Sequence, residues 1–372
     1  MWLFIIVTQL LSVTTSVILW WLIQPKTTVK MLALIVSIFI INNIALIYGL
    51  SEFWRARFNV YLVIEILQGF MIYAALITAV ITLIYCRLLK RQRRPKLIRA
   101  VGVMIYIGIV SLAVFNAYVP VVKHLTVSTD KPLAEPLKIA LVSDTHLGRW
   151  FGNRQLDKLV NLVETEGADA VVLAGDIMND DTIYYDKTNM HESLSKLIAP
   201  LGVYAVLGNH DYFGFEQQIA EAVTDAGITV LDNQSVLLNE AVWLVGRSDD
   251  SDLTRLSANE LLDKVDTDKP VIFLEHRPSS INEISALPID LHLSGHTHGG
   301  QIFPLTTVMK LFSPLIHGTK QIDNTQFLVS SGFGFGSVPF RLGTRSEIWV
   351  VTLKADTSKS ATLKADTLHS VQ

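Results

Sequence analysis

Four apolar stretches, Trp2 to Gln24, Met31 to Leu50, Val60 to Cys86 and Ala100 to Val122, fill the first third of this 372-residue chain, and Glu65 is the only charge inside them. A soluble helix of such length keeps a polar face, and these have none. Each matches the roughly 20 residues that cross a hydrocarbon core, where a backbone must satisfy its own hydrogen bonds. The expectation is a transmembrane region over residues 1–123 with four helices (about 2–24, 31–50, 60–86 and 100–122), a buried helical bundle being the weaker alternative. Charge marks the same boundary: up to Lys123 there are twelve Lys/Arg against two Asp/Glu, and beyond it nineteen against thirty-two.

Orientation follows from the basic residues of the short loops. Seven lie between Arg87 and Arg99, so that loop is expected in the cytoplasm. The fourth helix then runs outward, and the amino terminus and everything after Lys123 are extracytoplasmic, in a multi-pass protein of the cell membrane. Met1 and Trp2 enter the apolar run without the basic start or small-residue exit of a cleavable signal, so the first helix is expected to stay. Next to a membrane the basic loop reflects topology and anionic lipid, and no nucleic-acid partner is expected. Glu65 and Gln68 share a face of the third stretch, where an interfacial position and a proton or ion role both stay open. Asn42 and Asn43 suit contacts between helices. Cys86 is the only cysteine, which excludes an intrachain disulfide.

Residues 124–136, with Pro132 and Pro136, have linker composition, and a folded domain is expected over 137–355. Within it, short Val/Ile/Leu runs at 137–142, 169–174, 202–207, 228–231, 242–246, 270–274, 290–294, 326–330 and 347–353 alternate with amphipathic stretches at 153–166, 190–199 and 214–226. This is an α/β pattern around a largely buried sheet. Residues 356–372, where Thr-Leu-Lys-Ala-Asp-Thr recurs, are expected to form a disordered tail.

Five blocks of metal-ligand residue types follow the apolar runs: Asp144 and His146, Gly175 and Asp176, Gly208 to Asp211, His276, and Gly295 to Gly300 with His296 and His298. The carboxyl ends of strands are where loops of an open α/β sheet converge on one crevice. Hydrolysis of a phosphoric ester needs a nucleophile at neutral pH and neutralisation of phosphate charge, and a pair of divalent cations supplies both. Mixed carboxylate, amide and imidazole donors suit such ions. Asp144 and His146 stand at alternate positions and can point one way; an isolated Asp-x-His is otherwise a turn cap. Gly175 permits a sharp turn that delivers Asp176, the candidate bridging ligand. Asn209 suits a hard cation, His210 stays free for proton transfer, and Asp211 braces the loop. His-x-His in a glycine turn is the most specific block. His292 is read as packed or supporting, and His124, His191, His317 and His369 carry no motif.

In this order the blocks resemble the calcineurin-like metallophosphoesterase superfamily, in particular its bacterial membrane-associated branch, over about Leu137 to Leu353. The resemblance implies a four-layer α/β/β/α sandwich with the dimetal site at the sheet edge. It implies that Asp144, His146, Asp176 and His298 hold one metal, that Asp176, Asn209, His276 and His296 hold the other, that a hydroxide between them attacks phosphorus, and that His210 assists at the leaving group. Many members carry a second Asp three residues after the bridging one, where this chain has Asn179. An amide supplies no charge to His210, so that role passes to Asp180 or Asp181 or is weakened. Arg341, after the turn Gly332 to Gly336, is placed equally well on phosphate or in a surface ion pair.

The sequence therefore describes a membrane-anchored, metal-dependent phosphoric ester hydrolase. Its two divalent ions are Mn, Fe, Zn or Mg. It acts on a phosphomonoester, phosphodiester or pyrophosphate, and location suggests a phosphorylated small molecule, lipid or wall polymer of the envelope. The alternative is a membrane transporter or sensor whose outer domain binds metal without turnover. A two-metal peptidase or lactamase would show other spacings.

Overall fold

The computed structural model describes residues 2–50, 77, 80, 95–303, 305–311, 313, 315–336 and 338–356. The chain divides into two compact units, 1–115 with 337–340, and 116–336 with 341–372.

In the first unit, helices α1 (Trp2–Ile23) and α2 (Thr28–Leu50) coincide with the first two apolar stretches. They are joined by amide contacts: Asn42 Nδ2 donates to Ser12 Oγ at 2.8 Å and Gln9 Nε2 donates to Asn43 Oδ1 at 2.7 Å. This is the interhelical use expected of Asn42 and Asn43. Among the described residues one helix is long and apolar enough to cross a membrane, Ala100–Tyr118, with mean hydropathy 2.1. It is the main part of α3 (Pro95–Tyr118). Thr28–Ile44 is a shorter apolar helix. The third expected span, 60–86 with Glu65 and Gln68, lies outside the described residues apart from positions 77 and 80, as does the tail beyond Asp356.

The second unit is built on two six-stranded mixed sheets. The first runs β1 (Val121–Thr129), β12 (Glu347–Ala355), β2 (Leu137–Val142), β3 (Ala170–Ala174), β4 (Val203–Val206), β5 (Thr229–Val230). The second runs β10 (Gly318–Ile322), β11 (Thr325–Val329), β9 (Leu291–Ser294), β8 (Val271–Leu274), β7 (Val242–Gly246), β6 (Gln234–Leu238). Strands β2 to β5 are parallel, as are β7, β8, β9 and β11, whereas β12 opposes β2 and the hairpins β6/β7 and β10/β11 are antiparallel.

Strand periodicity sorts the side chains into layers. Ile139, Leu141, Val172 and Ala174 share a core with Leu244, Ile272, Leu274, Leu291 and Leu293 of the other sheet. The alternate residues Ala140, Val142, Val171 and Leu173 face helices α4 (Asn153–Glu166), α5 (Ile183–Lys187), α6 (Met190–Leu194) and α7 (Glu216–Asp225). On the far side, Val271, Phe273 and Phe327 pack on α8 (Ala258–Leu262) and α9 (Ile281–Ile284). The order is helix, sheet, sheet, helix. Helix α4 buries Leu156, Leu159, Val160 and Val163, a single stripe at helical spacing, and ends at Gly167 in the left-handed conformation.

Two boundaries differ from the sequence expectation. The apolar run to Val122 does not stay helical: α3 stops at Tyr118, before Pro120. The first part of the expected linker 124–136, as far as Thr129, is strand, because β1 pairs in parallel with β12 over nine residues, Val121 with Glu347 through Thr129 with Ala355. Its polar residues hid it. Lys123, His124, Thr126 and Ser128 suit the outermost strand of a sheet, where one side meets water.

Glu347 ties this edge together. Its buried carboxylate meets Lys123 Nζ at 2.6 Å and accepts from Ser331 N at 2.9 Å and Trp349 Nε1 at 2.7 Å. Burial opposes the charge, but Lys123 and these donors outweigh it and hold the carboxyl below its usual range. A depressed folded value means stability that is present above the unfolded value and lost as pH falls through the folded one. We therefore expect Glu347→Gln to lower the melting temperature at neutral pH. The gap to the unaltered chain should close as the scan moves below about pH 4.

Candidate metal centre

Every block singled out in the sequence ends a parallel strand: Asp144 and His146 follow β2, Asp176 follows β3, Asn209 and His210 follow β4, His276 follows β8, and His296 and His298 follow β9. The loops are laced to one another by their backbones. Asp144 N donates to Gly175 O at 3.0 Å, His146 N to Asp176 O at 2.9 Å, Gly295 N to His276 O at 2.9 Å and Gly334 N to Asp144 O at 2.8 Å. Five of these side chains leave backbone in the left-handed region, with φ of 52° at Asp144, 44° at His146, 50° at Asp176, 71° at His296 and 48° at His298. Non-glycine residues avoid that region unless surroundings enforce it, at a cost of order 1 kcal/mol or more each. The interloop hydrogen bonds supply that enforcement.

The donor atoms converge in three overlapping groups, one of which joins His146 and Asp176 to His210. Asp144, His146 and His298 place theirs within 4.8 Å of one another, as do Asp176, His276 and His296. Asp176 lies between the groups: its Oδ2 is 3.6 Å from His146 Nε2 and 3.3 Å from His276 Nε2. On the first side, His146 Nε2 faces His298 Nε2 at 3.2 Å, and His298 Nε2 is 3.6 Å from Asp144 Oδ1. On the second, His276 Nε2 meets both Asn209 Oδ1 and His296 Nδ1 at 3.2 Å. All seven expected ligands are thus brought together.

The chemistry of this donor set fits divalent cations. His276 Nδ1 donates to the Ala174 carbonyl at 2.8 Å, so a neutral His276 turns the lone pair of Nε2 toward Asp176, Asn209 and His296. That lone pair then faces the oxygens of Asp176 and Asn209, an arrangement that a cation relieves. Burial would depress His276, but the Asp176 carboxylate overrides it and raises the imidazole to about 10. Burial lowers His146 to about 4, burial with the neighbouring His276 charge lowers His296 to about 4, and His298 falls well below its usual value, so all three imidazoles are neutral at pH 7. Burial, with Asp176 adding to it, raises Asp144 to about 6. Cation uptake is accordingly coupled to proton release.

His210 stands apart from the donor atoms of its neighbours in role. Its backbone N–H donates to Asp176 Oδ1 at 2.9 Å, and its Nδ1 contacts Asp180 Oδ1 at 2.5 Å. Of the residues available to replace the missing acid at Asn179, the one in contact is Asp180, itself at φ 71°. Burial disfavours the charged imidazole, but the Asp180 hydrogen bond and the charges of Asp176 and Asp180 raise it. Asp211 braces the loop: its carboxylate accepts from Ile177 N at 3.1 Å, Met178 N at 2.9 Å and Gly208 N at 2.9 Å. Gly208 admits nothing larger, since a Cβ there would fall on the Asp176 carboxylate and backbone nitrogen.

Arg341 has neither of its expected places. It is fully buried, and its guanidinium donates to Gly334 O at 3.0 and 2.6 Å and to Gly332 O at 3.2 Å, behind His298 Nδ1. Sequence reading also missed a buried polar cluster beside His276. Glu275 receives Arg255 Nη2 at 2.8 Å and Arg247 Nη1 at 3.4 Å, and its Oε1 is 3.0 Å from His292 Nε2, while Arg277 Nε pairs with buried Asp249 at 2.9 Å. The available signal was two charges, Glu275 and Arg277, flanking a histidine at the end of an apolar strand.

The calcineurin-like phosphoesterase family model matches residues 137–300. The chain is 34% identical over 242 residues to an "uncharacterized metallophosphoesterase" of Aquifex aeolicus, covering 63% of this chain and 91% of that one. It is 34% identical over 262 residues to a protein of the same description from Campylobacter jejuni, covering 67% and 69%. A cattle "transmembrane protein with metallophosphoesterase domain" is 31% identical over 289 residues, covering 72% and 65%. The chain belongs to the calcineurin-like metallophosphoesterases. It is a metal-dependent hydrolase of phosphoric ester bonds whose cofactor is a pair of divalent cations.

Two expectations follow. Gly208→Ala should displace Asp176 and lower the metal retained per chain, measured by plasma emission after dialysis, with wild-type stoichiometry in the variant counting against the placement. For Asp180→Asn, kcat should fall by roughly 10- to 100-fold. A proton donor works in its protonated form, below its pKa, so losing Asp180 should also move the alkaline limb of the pH–rate profile to lower pH.

Proposed function

We propose that this protein is a membrane-anchored phosphoric ester hydrolase in which Asp144, His146, Asp176 and His298 hold one divalent cation and Asp176, Asn209, His276 and His296 hold the other. The observation that carries the reading is the Asp176 carboxylate, whose Oδ2 stands 3.6 Å from His146 Nε2 on one side and 3.3 Å from His276 Nε2 on the other. When bound, the cations supply Lewis acidity and a nucleophile at neutral pH. The chain's own contribution to bond cleavage is His210, whose imidazole, steadied by Asp180, delivers a proton to the departing alkoxide.

Phosphomonoesters, phosphodiesters and pyrophosphates all meet these requirements. Anchoring is supported by the exposed apolar helix Ala100–Tyr118 and by the description of the cattle relative as transmembrane. The seven basic residues between Arg87 and Arg99 support a multi-pass arrangement of four spans with the hydrolase domain outside the cell, and so a phosphorylated lipid or wall polymer of the envelope as substrate. A carboxyl-terminal reporter fusion tests the sidedness: a cytoplasmic signal would reverse it.

A transporter or sensor that only binds metal would have no use for His210, which the loop holds beside the donor atoms and pairs with an acid. The full chain in detergent with Mn²⁺ is expected to hydrolyse a chromogenic phosphodiester. His210→Ala should lower kcat by roughly 10²-fold or more with the metal content unchanged. No turnover, with His210→Ala matching the unaltered protein, would support the sensor.

A further inference from the structure

A cleft of about 360 Å³ opens where α3 ends, lined by Tyr118, Val119, Arg154, Gln155 and Lys158. Its polar lining is cationic. Lys158 Nζ spends one hydrogen on the Tyr118 carbonyl at 3.2 Å, the terminal carbonyl of the helix, and keeps two. Arg154 is exposed and makes no hydrogen bond or ion pair among the described residues. The nearest carboxylate in sequence, Asp157, faces α6, where it accepts from Ser193 at 3.1 Å. Two positive groups, one helical turn apart on α4, therefore share a concave surface whose lining among the described residues holds no carboxylate.

The surroundings are those of a membrane interface. Tyr118 is the last residue of the apolar span Ala100–Tyr118. Its hydroxyl donates to Trp150 O at 3.3 Å, and Trp150 is 38% exposed with the Arg149 guanidinium 5.8 Å from its ring. Tyrosine, tryptophan and basic side chains gathered at the end of a spanning helix mark the headgroup level of a bilayer. We infer that this cleft binds the phosphate of an anionic membrane lipid, gripped by Arg154 and Lys158, at a site separate from the metal centre. The inference rests on the anchored reading given above. The two sites are close: Tyr118 packs edge-on against Phe335 at 5.4 Å, and the next residue, Gly336, lies against the His298 ring. A lipid held here is a few side chains from the donor set.

The test uses the full chain in phosphatidylcholine nanodiscs with and without phosphatidylglycerol, and counts the lipid that stays bound on transfer to detergent by native mass spectrometry. The unaltered chain should retain phosphatidylglycerol in preference to phosphatidylcholine. Arg154→Gln combined with Lys158→Gln should lose that preference by roughly 10- to 30-fold. Hydrolysis of a soluble chromogenic phosphodiester should proceed at the unaltered rate. Equal preference in the two proteins would overturn the site, and so would complete displacement of the lipid by glycerol phosphate, which would mean a free anion rather than a membrane lipid is recognised. Release of the unaltered chain from membranes by alkaline carbonate would instead overturn the anchored reading and this site with it. Loss of preference in a chain that stays embedded upholds both.

Discussion

Positive charge is what this architecture is arranged to receive. Asp176, Asn209, His276 and His296 bring lone pairs to one point, and Asp144, His146 and His298 bring them to a second, with few hydrogens between them. A set of buried acceptors without donors is unfavourable until a cation arrives. The proton held by His276 against Asp176 is the smallest cation available, and divalent ions are better matched to the number and kind of donors. The left-handed backbone at five of the candidate ligands and the laced loops keep the acceptors from relaxing apart.

The two sheets make that convergence possible. Each gives the ends of parallel strands to the same crevice, β2, β3 and β4 from one and β8 and β9 from the other, over a shared core of Ile139, Leu141, Leu274 and Leu293. Behind the metal-facing histidines the polar partners differ. His276 has a carbonyl to fix its tautomer, whereas His298 has the buried Arg341, whose charge adds to burial in keeping the imidazole neutral.

The strands that carry ligands were legible because they are buried on both faces and so appear as unbroken Val/Ile/Leu runs, as at 170–174 and 271–274. The strands that escaped notice, β1, β6 and β10, are outer strands with polar or exposed residues, Lys123 and His124 in one and Gly318 to Gln321 in another. The candidate donors that the loops gather were legible from the short blocks that carry them. Partner choice was not, because it depends on how separate loops meet: which acid serves His210 is decided by the turn at Asp180, and Arg341 is hidden by the turn Gly332 to Gly334 that covers it. The membrane count was read from hydropathy alone, and the described residues contribute one qualifying helix to it.

The pairing of β1 with β12 bears on how the hydrolase half can be handled in isolation. Composition invites a cut at Leu137, yet that cut would strip away the strand that covers β12 and leave Trp349, Val351 and Leu353 along an open border. Naked borders of this kind recruit other chains and precipitate. A fragment that keeps Val121 onward retains its own selvedge, and the two-residue step from Tyr118 to Val121 is the natural place to part it from the apolar helix.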